Sequence, residues 1–174
     1  MTMRQITIRR YRDDDLPAVR ELFVRINREL AAPALKQAFE DYIARSLREE
    51  IERIPDYYAE HGGSFWIVED AAGAVCGMFG LETAGSGAAE IRRMYVDHRV
   101  RRSGVARAML RHAEEVCRDA GFDRIVLSTS ELQQAALALY RAAGFRLIRE
   151  EIATAETNKT VGAGLRRYYF EKGL

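Results

Sequence analysis

At 174 residues the chain is long enough to bury a core of ordinary domain size. Hydrophobic residues make up 48% and charged residues 30%, a balance that excludes intrinsic disorder. Lysine and arginine total 27 against 26 for aspartate and glutamate, and a net charge of +1 offers no footprint for nucleic acid or a membrane surface.

The first segment, "ITIRRY", alternates apolar and polar residues and predicts a half-buried strand. "DDDLPAVRELFVRINREL" predicts a helix, from its acidic start, Pro17 in the first turn and the apolar stripe Leu16, Val19, Leu22, Phe23 and Ile26. A looser helical pattern runs from Pro33 to Glu60 and stops at "HGG". "SFWIVED" and "AVCGMFGLETA" predict two strands around the turn "AAG", and "AAEIRRMYV" a third. Gly104 to Ala120 reads as a helix with a stripe of Val105, Met109, His112/Ala113, Val116 and Ala120, capped by Gly121. "RIVLSTS" is a strand, "LQQAALALYRAA" a helix ending at Gly144, and "FRLIREEI" and "RRYYFEK" are closing strands joined by a polar loop, Ala153 to Gly164. The order predicts an α/β fold with a mixed sheet and short crossovers. No repeat or low-complexity linker divides residues 1–174, which are read as a single domain.

Cys76 and Cys117 lie in apolar stretches and are expected as buried free thiols in a reducing compartment. There is no CxxC or Cys/His cluster, so no metal is expected. The N-terminus lacks an apolar signal core and no run of ~18 apolar residues occurs, so no membrane association is expected and the expected location is the cytoplasm.

"VDHRVRRSGVARAML" places Arg99, Arg101 and Arg102 at the mouth of a helix. A helix N-terminus is already positive and favours acidic neighbours. Its free N–H groups bind phosphate, Gly104 lets a ligand approach the backbone, and arginines add charge-assisted bonds. The residues admit two readings, a pyrophosphate cradle or a solvated basic turn. Neither GxxxxGK[ST] nor GxGxxG is present.

Arg101-x-x-Gly104-x-Ala106, opening a helix after "EIRRMYV", resembles the acyl-coenzyme A motif [Q/R]-x-x-G-x-[G/A] of the GNAT superfamily of N-acetyltransferases. "Leu139-Tyr140-Arg141-Ala142-Ala143-Gly144-Phe145" resembles that family's LYxxxGF. Within the superfamily, the run Thr129-Ser130-Glu131-Leu132-Gln133 ahead of AxxLYxxxGF is similar to the cysteine-S-conjugate and aspartate N-acetyltransferase branch. The membrane hairpin found in that branch is replaced here by the charged "DYIARSLREEIERIPDYY".

The resemblance implies a mixed, mostly antiparallel twisted sheet of six to seven strands, flanked by about four helices, with a splayed central strand pair. It implies acetyl-CoA as co-substrate, with Met94, Tyr95 and Val96 offering backbone groups to the pantetheine arm and one N–H near Val96 polarising the thioester carbonyl. Arg101, Arg102, Ser103, Gly104, Val105 and Ala106 would hold the pyrophosphate, and Gln133 would stand where many relatives place an asparagine. Tyr140 is the candidate general acid for the departing thiolate, and Glu90 the candidate base, with a water chain as the alternative to Glu90. Arg92 shares Glu90's strand face and is a candidate grip for a substrate carboxylate.

The expected activity is acetyl transfer from acetyl-CoA to a primary amine of a small molecule, such as an amino acid or its conjugate. The alternatives are a protein or peptide acceptor, or a coenzyme A-binding regulatory module without catalysis. A homodimer through edge strands is left open. The acceptor is expected to be set by the Asn27 to Gly62 region and the Ala153 to Gly164 loop.

Overall fold

The computed structural model describes residues 5–174. Its seven strands are β1 (Ile6–Arg10), β2 (Ser64–Asp70), β3 (Val75–Thr83), β4 (Ala88–Val96), β5 (Arg124–Ser130), β6 (Arg146–Ala153) and β7 (Leu165–Gly173). They form one sheet in the order β1-β2-β3-β4-β5-β7-β6. Every pairing is antiparallel except β4 with β5. Four helices of nine residues or more flank the sheet: α1 (Leu16–Leu30), α2 (Lys36–Glu49), α4 (Val105–Asp119) and α5 (Gln134–Ala142). The seven-residue α3 (Ile54–Glu60) joins them.

One apolar cluster lies on each face of the sheet. Val19, Leu22, Phe23, Tyr42, Ile51 and Tyr58 pack with Ile67 and Met78 on the α1–α3 side. Val105, Met109, Ala113, Leu137 and Tyr140 pack with Phe79, Ile125 and Phe170 on the α4–α5 side.

The single helical pattern expected from Pro33 to Glu60 is divided. Glu50 leaves helical geometry at φ −138°, ψ −60°, a short 3-10 turn covers Ile51–Arg53, and Pro55 opens α3. Proline fits a first helical turn, where its missing N–H has no partner to lose. The stripe of α4 is also rotated from the expected one, since Leu110 and Cys117 are buried while Ala120 is exposed. Cys76 and Cys117 are both buried free thiols, and burial pushes the Cys117 thiol up to about 11. Among the described residues no helix is long and apolar enough to cross a membrane.

Two departures from regular pairing shape the centre of the sheet. First, β4 and β5 pair only over Ala88–Glu90 with Arg124–Val126. Beyond that the strands part, and Ile91–Val96 faces a gap. Second, β4 carries a bulge. Met78 opposes Tyr95 and Gly80 opposes Arg92, so the register shifts between these pairs. Arg93 takes the left-handed conformation at φ 52° to accommodate it. A bulge breaks the two-residue alternation. Consequently Arg92 and Arg93, adjacent in sequence, both reach the same carboxylate of Glu50 on the α1–α3 face.

Candidate active site

On the α4–α5 side the gap opens into a groove of about 840 Å³, lined by Met94–Val96, the turn at Arg101–Ala106 and the α5 face from Leu132 to Tyr140. Arg102 (φ 61°) and Gly104 (φ 85°) both adopt the left-handed conformation. The turn therefore brings the chain round to α4 with Gly104 as its N-cap residue. The N–H groups of a first helical turn lack intrahelical partners and attract anions. Arg102 and Arg107 flank this end and line the groove.

The arginines of the turn differ in what they touch. Arg99 is held by Asp97, which also accepts from Arg25 at 2.8 Å. Arg99, the backbone N–H of Arg99 and Arg25 hold the Asp97 carboxyl well below the usual carboxylate range against the opposing effect of burial. This anchors the end of β4 to α1. Arg101 Nε donates to the Val96 carbonyl at 3.3 Å. Ser103 Oγ donates to the Val100 carbonyl and closes the turn.

The N–H of Asp97 bonds the Cys76 carbonyl on β3. Strand alternation then turns the N–H of Tyr95 towards β3, and those of Met94 and Val96 towards the open gap. Two backbone donors thus face the groove where β5 has moved away.

On the α1–α3 side lies a polar pocket whose walls include Glu90, Arg92, Arg93, Thr129, Lys159 and Arg167. Glu50 lies fully buried behind its arginine wall. It accepts from Arg92 at 2.9 Å, from Arg93 at 2.6 and 2.9 Å, and from the Tyr58 hydroxyl. Burial alone would raise the Glu50 pKa, but Arg93 and Arg92 hold it below the ordinary value. Glu82 accepts from Arg92 at 3.0 Å and from Tyr57 at 2.9 Å, and it too is held low, by Arg92 and Lys159 against burial. Lys159, on the β6–β7 loop, bridges Glu82 at 2.6 Å and Glu90 at 2.8 Å. The neighbouring Asn158 carbonyl accepts from Arg92 and Arg93, so the loop is tied down over the pocket.

Tyr140 lines both the groove and the pocket. Its ring packs edge-on to Phe145, and its hydroxyl points to Met94 Sδ at 3.8 Å. Burial pushes its pKa up to about 12, so it holds its proton at neutral pH.

Residues 17–145 match the acetyltransferase (GNAT) family. The chain belongs to the GNAT acetyltransferase family. It is 31% identical over 122 residues to N-acetyltransferase 8F1 of Rattus norvegicus, covering 68% of this chain and 55% of that protein. It is 30% identical over 117 residues to N-acetyltransferase 8 of Homo sapiens, covering 64% and 51%. The chain spans about half the length of these curated relatives. Among solved structures, a GNAT acetyltransferase from Staphylococcus aureus Mu50 is similar with a TM-score of 0.78 at 20% identity, covering 98% of this chain and 99% of that one. A phosphinothricin acetyltransferase from Sinorhizobium meliloti, solved in complex with AcCoA, gives 0.71 at 19% identity, covering 97% and 88%. At such identities these structures establish the GNAT fold.

Within this GNAT fold the residues singled out in the sequence fall on two sides of one gap. Met94, Tyr95, Val96, Arg101, Arg102, Gly104, Val105, Ala106, Gln133 and Tyr140 line the groove. Ser103 supports its turn. Gln133 precedes α5, and its Oε1 accepts from Thr129 Oγ1 at 2.7 Å, which holds the amide at the junction of groove and pocket. Glu90 and Arg92 line the polar pocket on one strand face, as alternation requires. The Arg92 guanidinium, 4% exposed, is already matched by Glu50 and Glu82. It forms pocket wall and positions Glu82.

Sequence reasoning missed Glu50, Glu82, Lys159 and Arg167. The sequence expects the Ala153 to Gly164 loop to help set the acceptor, and Lys159 is its one lysine. Glu50 carried no local signal, because its role comes from a bulge 43 residues further along the chain. Trp66, Tyr57 and Tyr58 pack as core and rim aromatics: Trp66 stacks on Phe79, and Tyr57 meets Tyr58 edge-on.

Proposed function

We propose that this chain transfers an acetyl group from acetyl-CoA to the primary amine of a small molecule, of the amino-acid or amino-acid-conjugate class, by direct attack of the amine on the thioester. One observation carries the reading. The groove that ends at the left-handed turn before α4 and the polar pocket that holds Glu90 meet at the β4–β5 gap, and Tyr140 stands in both.

The groove suits the cofactor. The N-terminus of α4 with Arg102 and Arg107 fits a pyrophosphate. Backbone N–H groups at Met94 and Val96 fit a pantetheine amide and the thioester carbonyl, whose oxygen gains negative charge on attack. Gln133 stands beside this line. On the other side, Glu90 accepts the proton that the amine must lose, directly or through water. The new N–C bond forms as the C–S bond breaks, and Tyr140 supplies a proton to the leaving sulfur. A neutral phenol is the form needed for that donation, and burial maintains it.

The loop tied down by Lys159 and Asn158 narrows the pocket from the α1–α3 side, which supports a small acceptor over a protein chain. The buried thiols support a reducing, cytoplasmic location for this domain, residues 1–174. Release of free thiol from acetyl-CoA, measured across amino acids, cysteine conjugates, polyamines and peptides, tests the reading. Turnover by an amino acid or its conjugate is expected. A peptide as best acceptor would replace the small-molecule reading. Tight binding of coenzyme A with no turnover on any amine would leave a binding module.

A further inference from the structure

Charge matching in the polar pocket leaves one cation over. Arg92 and Arg93 meet Glu50 and Glu82, and Lys159 meets Glu82 and Glu90. Three carboxylates thus face three cations. The fourth cation, Arg167 on β7, donates to a neutral partner, Ser128 Oγ, at 2.7 Å. No carboxylate among the described residues lies within ion-pair distance of it. Glu151, opposite in register on β6, feels the Arg167 charge through space but makes no ion pair with it, its oxygens accepting from Tyr169 and Arg149. Arg167 is half-buried and lines both the polar pocket and an adjoining cavity beneath the β6–β7 loop.

We infer that Arg167, and not Arg92, binds the carboxylate of the amine acceptor, which is an α-amino acid or a conjugate that keeps its carboxylate. The inference rests on the acetyl-transfer reading above and names the specificity-determining residue within it. A half-buried guanidinium bonded only to a hydroxyl keeps donors for a planar anion, and a carboxylate matches its fork through two parallel bonds. The same pocket offers the complementary end. Glu82 and Glu90 together hold the ammonium of Lys159, so this corner already recognises the charge an acceptor amine carries. An acceptor that bridges the two ends presents its amine to Glu90 and its carboxylate to Arg167. Its side chain meets the adjoining cavity, of about 40 Å³, whose walls combine Leu30, Phe39, Tyr42 and Val161 with Asn27 and Ser130. That volume takes a small side chain and excludes an aromatic ring.

L-alanine and its carboxamide, titrated calorimetrically in the presence of coenzyme A, test this without requiring turnover. The parent is expected to bind L-alanine at least tenfold more tightly than the carboxamide. Arg167→Gln should weaken L-alanine at least tenfold and leave the carboxamide within about twofold, with Arg167→Lys recovering part of the loss. In thiol-release kinetics the same variant should raise the acceptor KM and leave the acetyl-CoA KM unchanged. No binding of L-alanine to the parent, or equal weakening of both ligands by Arg167→Gln, overturns the inference. L-alanine bound through Arg167 with no thiol release would instead overturn the acetyl-transfer reading and leave Arg167 as a carboxylate site.

Discussion

Lys159 Nζ lies 2.8 Å from Glu90 Oε2, so the chain's own ammonium occupies the carboxylate that would receive a proton from the acceptor. The same nitrogen is 2.6 Å from Glu82. Lys159 is 44% exposed, which discounts the strength of this pair. An arriving ammonium can therefore replace it at modest cost. Lys159→Met should release residues 154–163 from the pocket without disturbing α4. Amide hydrogen exchange is expected to quicken at least severalfold in that loop and stay unchanged in α4. Equal protection of the loop in parent and variant would show that the lysine does not hold it.

Glu90 as base has a pH signature. An α-amino group has a pKa of about 8 and needs a proton acceptor below it. Glu90→Gln should lower kcat/KM most near neutral pH, by about tenfold or more, and the deficit should shrink as pH rises past the amine's own pKa. A deficit that stays constant from neutral to alkaline pH would assign proton removal to a water chain.

Gly104, in the turn proposed to hold the pyrophosphate, stands at φ 85°, a conformation that costs a side chain roughly 1–2 kcal/mol. Gly104→Leu should keep the fold, by circular dichroism, and abolish acetyl-CoA binding in calorimetry. Unchanged affinity in the folded variant would move the pyrophosphate elsewhere.

Glu50 links stability to pH. Its folded pKa is depressed, so its contribution is fully present above the unfolded value of about 4.3 and is lost as pH falls below that through the folded value. Removing one partner of a buried ion pair costs about 3–5 kcal/mol. Glu50→Gln should therefore lower Tm sharply near pH 7, and the gap to the parent should narrow towards about pH 3. A gap of constant size across that range would mean that its charge is not the stabilising feature.

Much of this architecture was legible because its signals are local. The strand "RIVLSTS" coincides with β5, and alternation in "AAEIRRMYV" placed Glu90 and Arg92 on one face. Arg101, Gly104 and Ala106 marked the groove because a helix-opening turn is encoded in contiguous residues. The polar pocket was not legible in the same way. The bulge at Arg93 overrides the two-residue alternation, so nothing in "IRRM" announces that both arginines meet Glu50. The long helix from Pro33 breaks at that same Glu50, whose buried carboxylate answers residues far along the chain. Arg92 looked like a free anion site only while Glu50 and Glu82 were out of view.

Tyr140 tests the central claim, that the β4–β5 gap is the acetyl-transfer centre. Thiol release by Tyr140→Phe should be compared with the parent, on the best acceptor and with chemistry established as rate-limiting. The ring remains to pack against Phe145 and Phe170, so only the hydroxyl beside Met94 is lost. The account predicts a fall in kcat of ~100-fold or more with little change in acetyl-CoA affinity. A kcat within about twofold of the parent would contradict it.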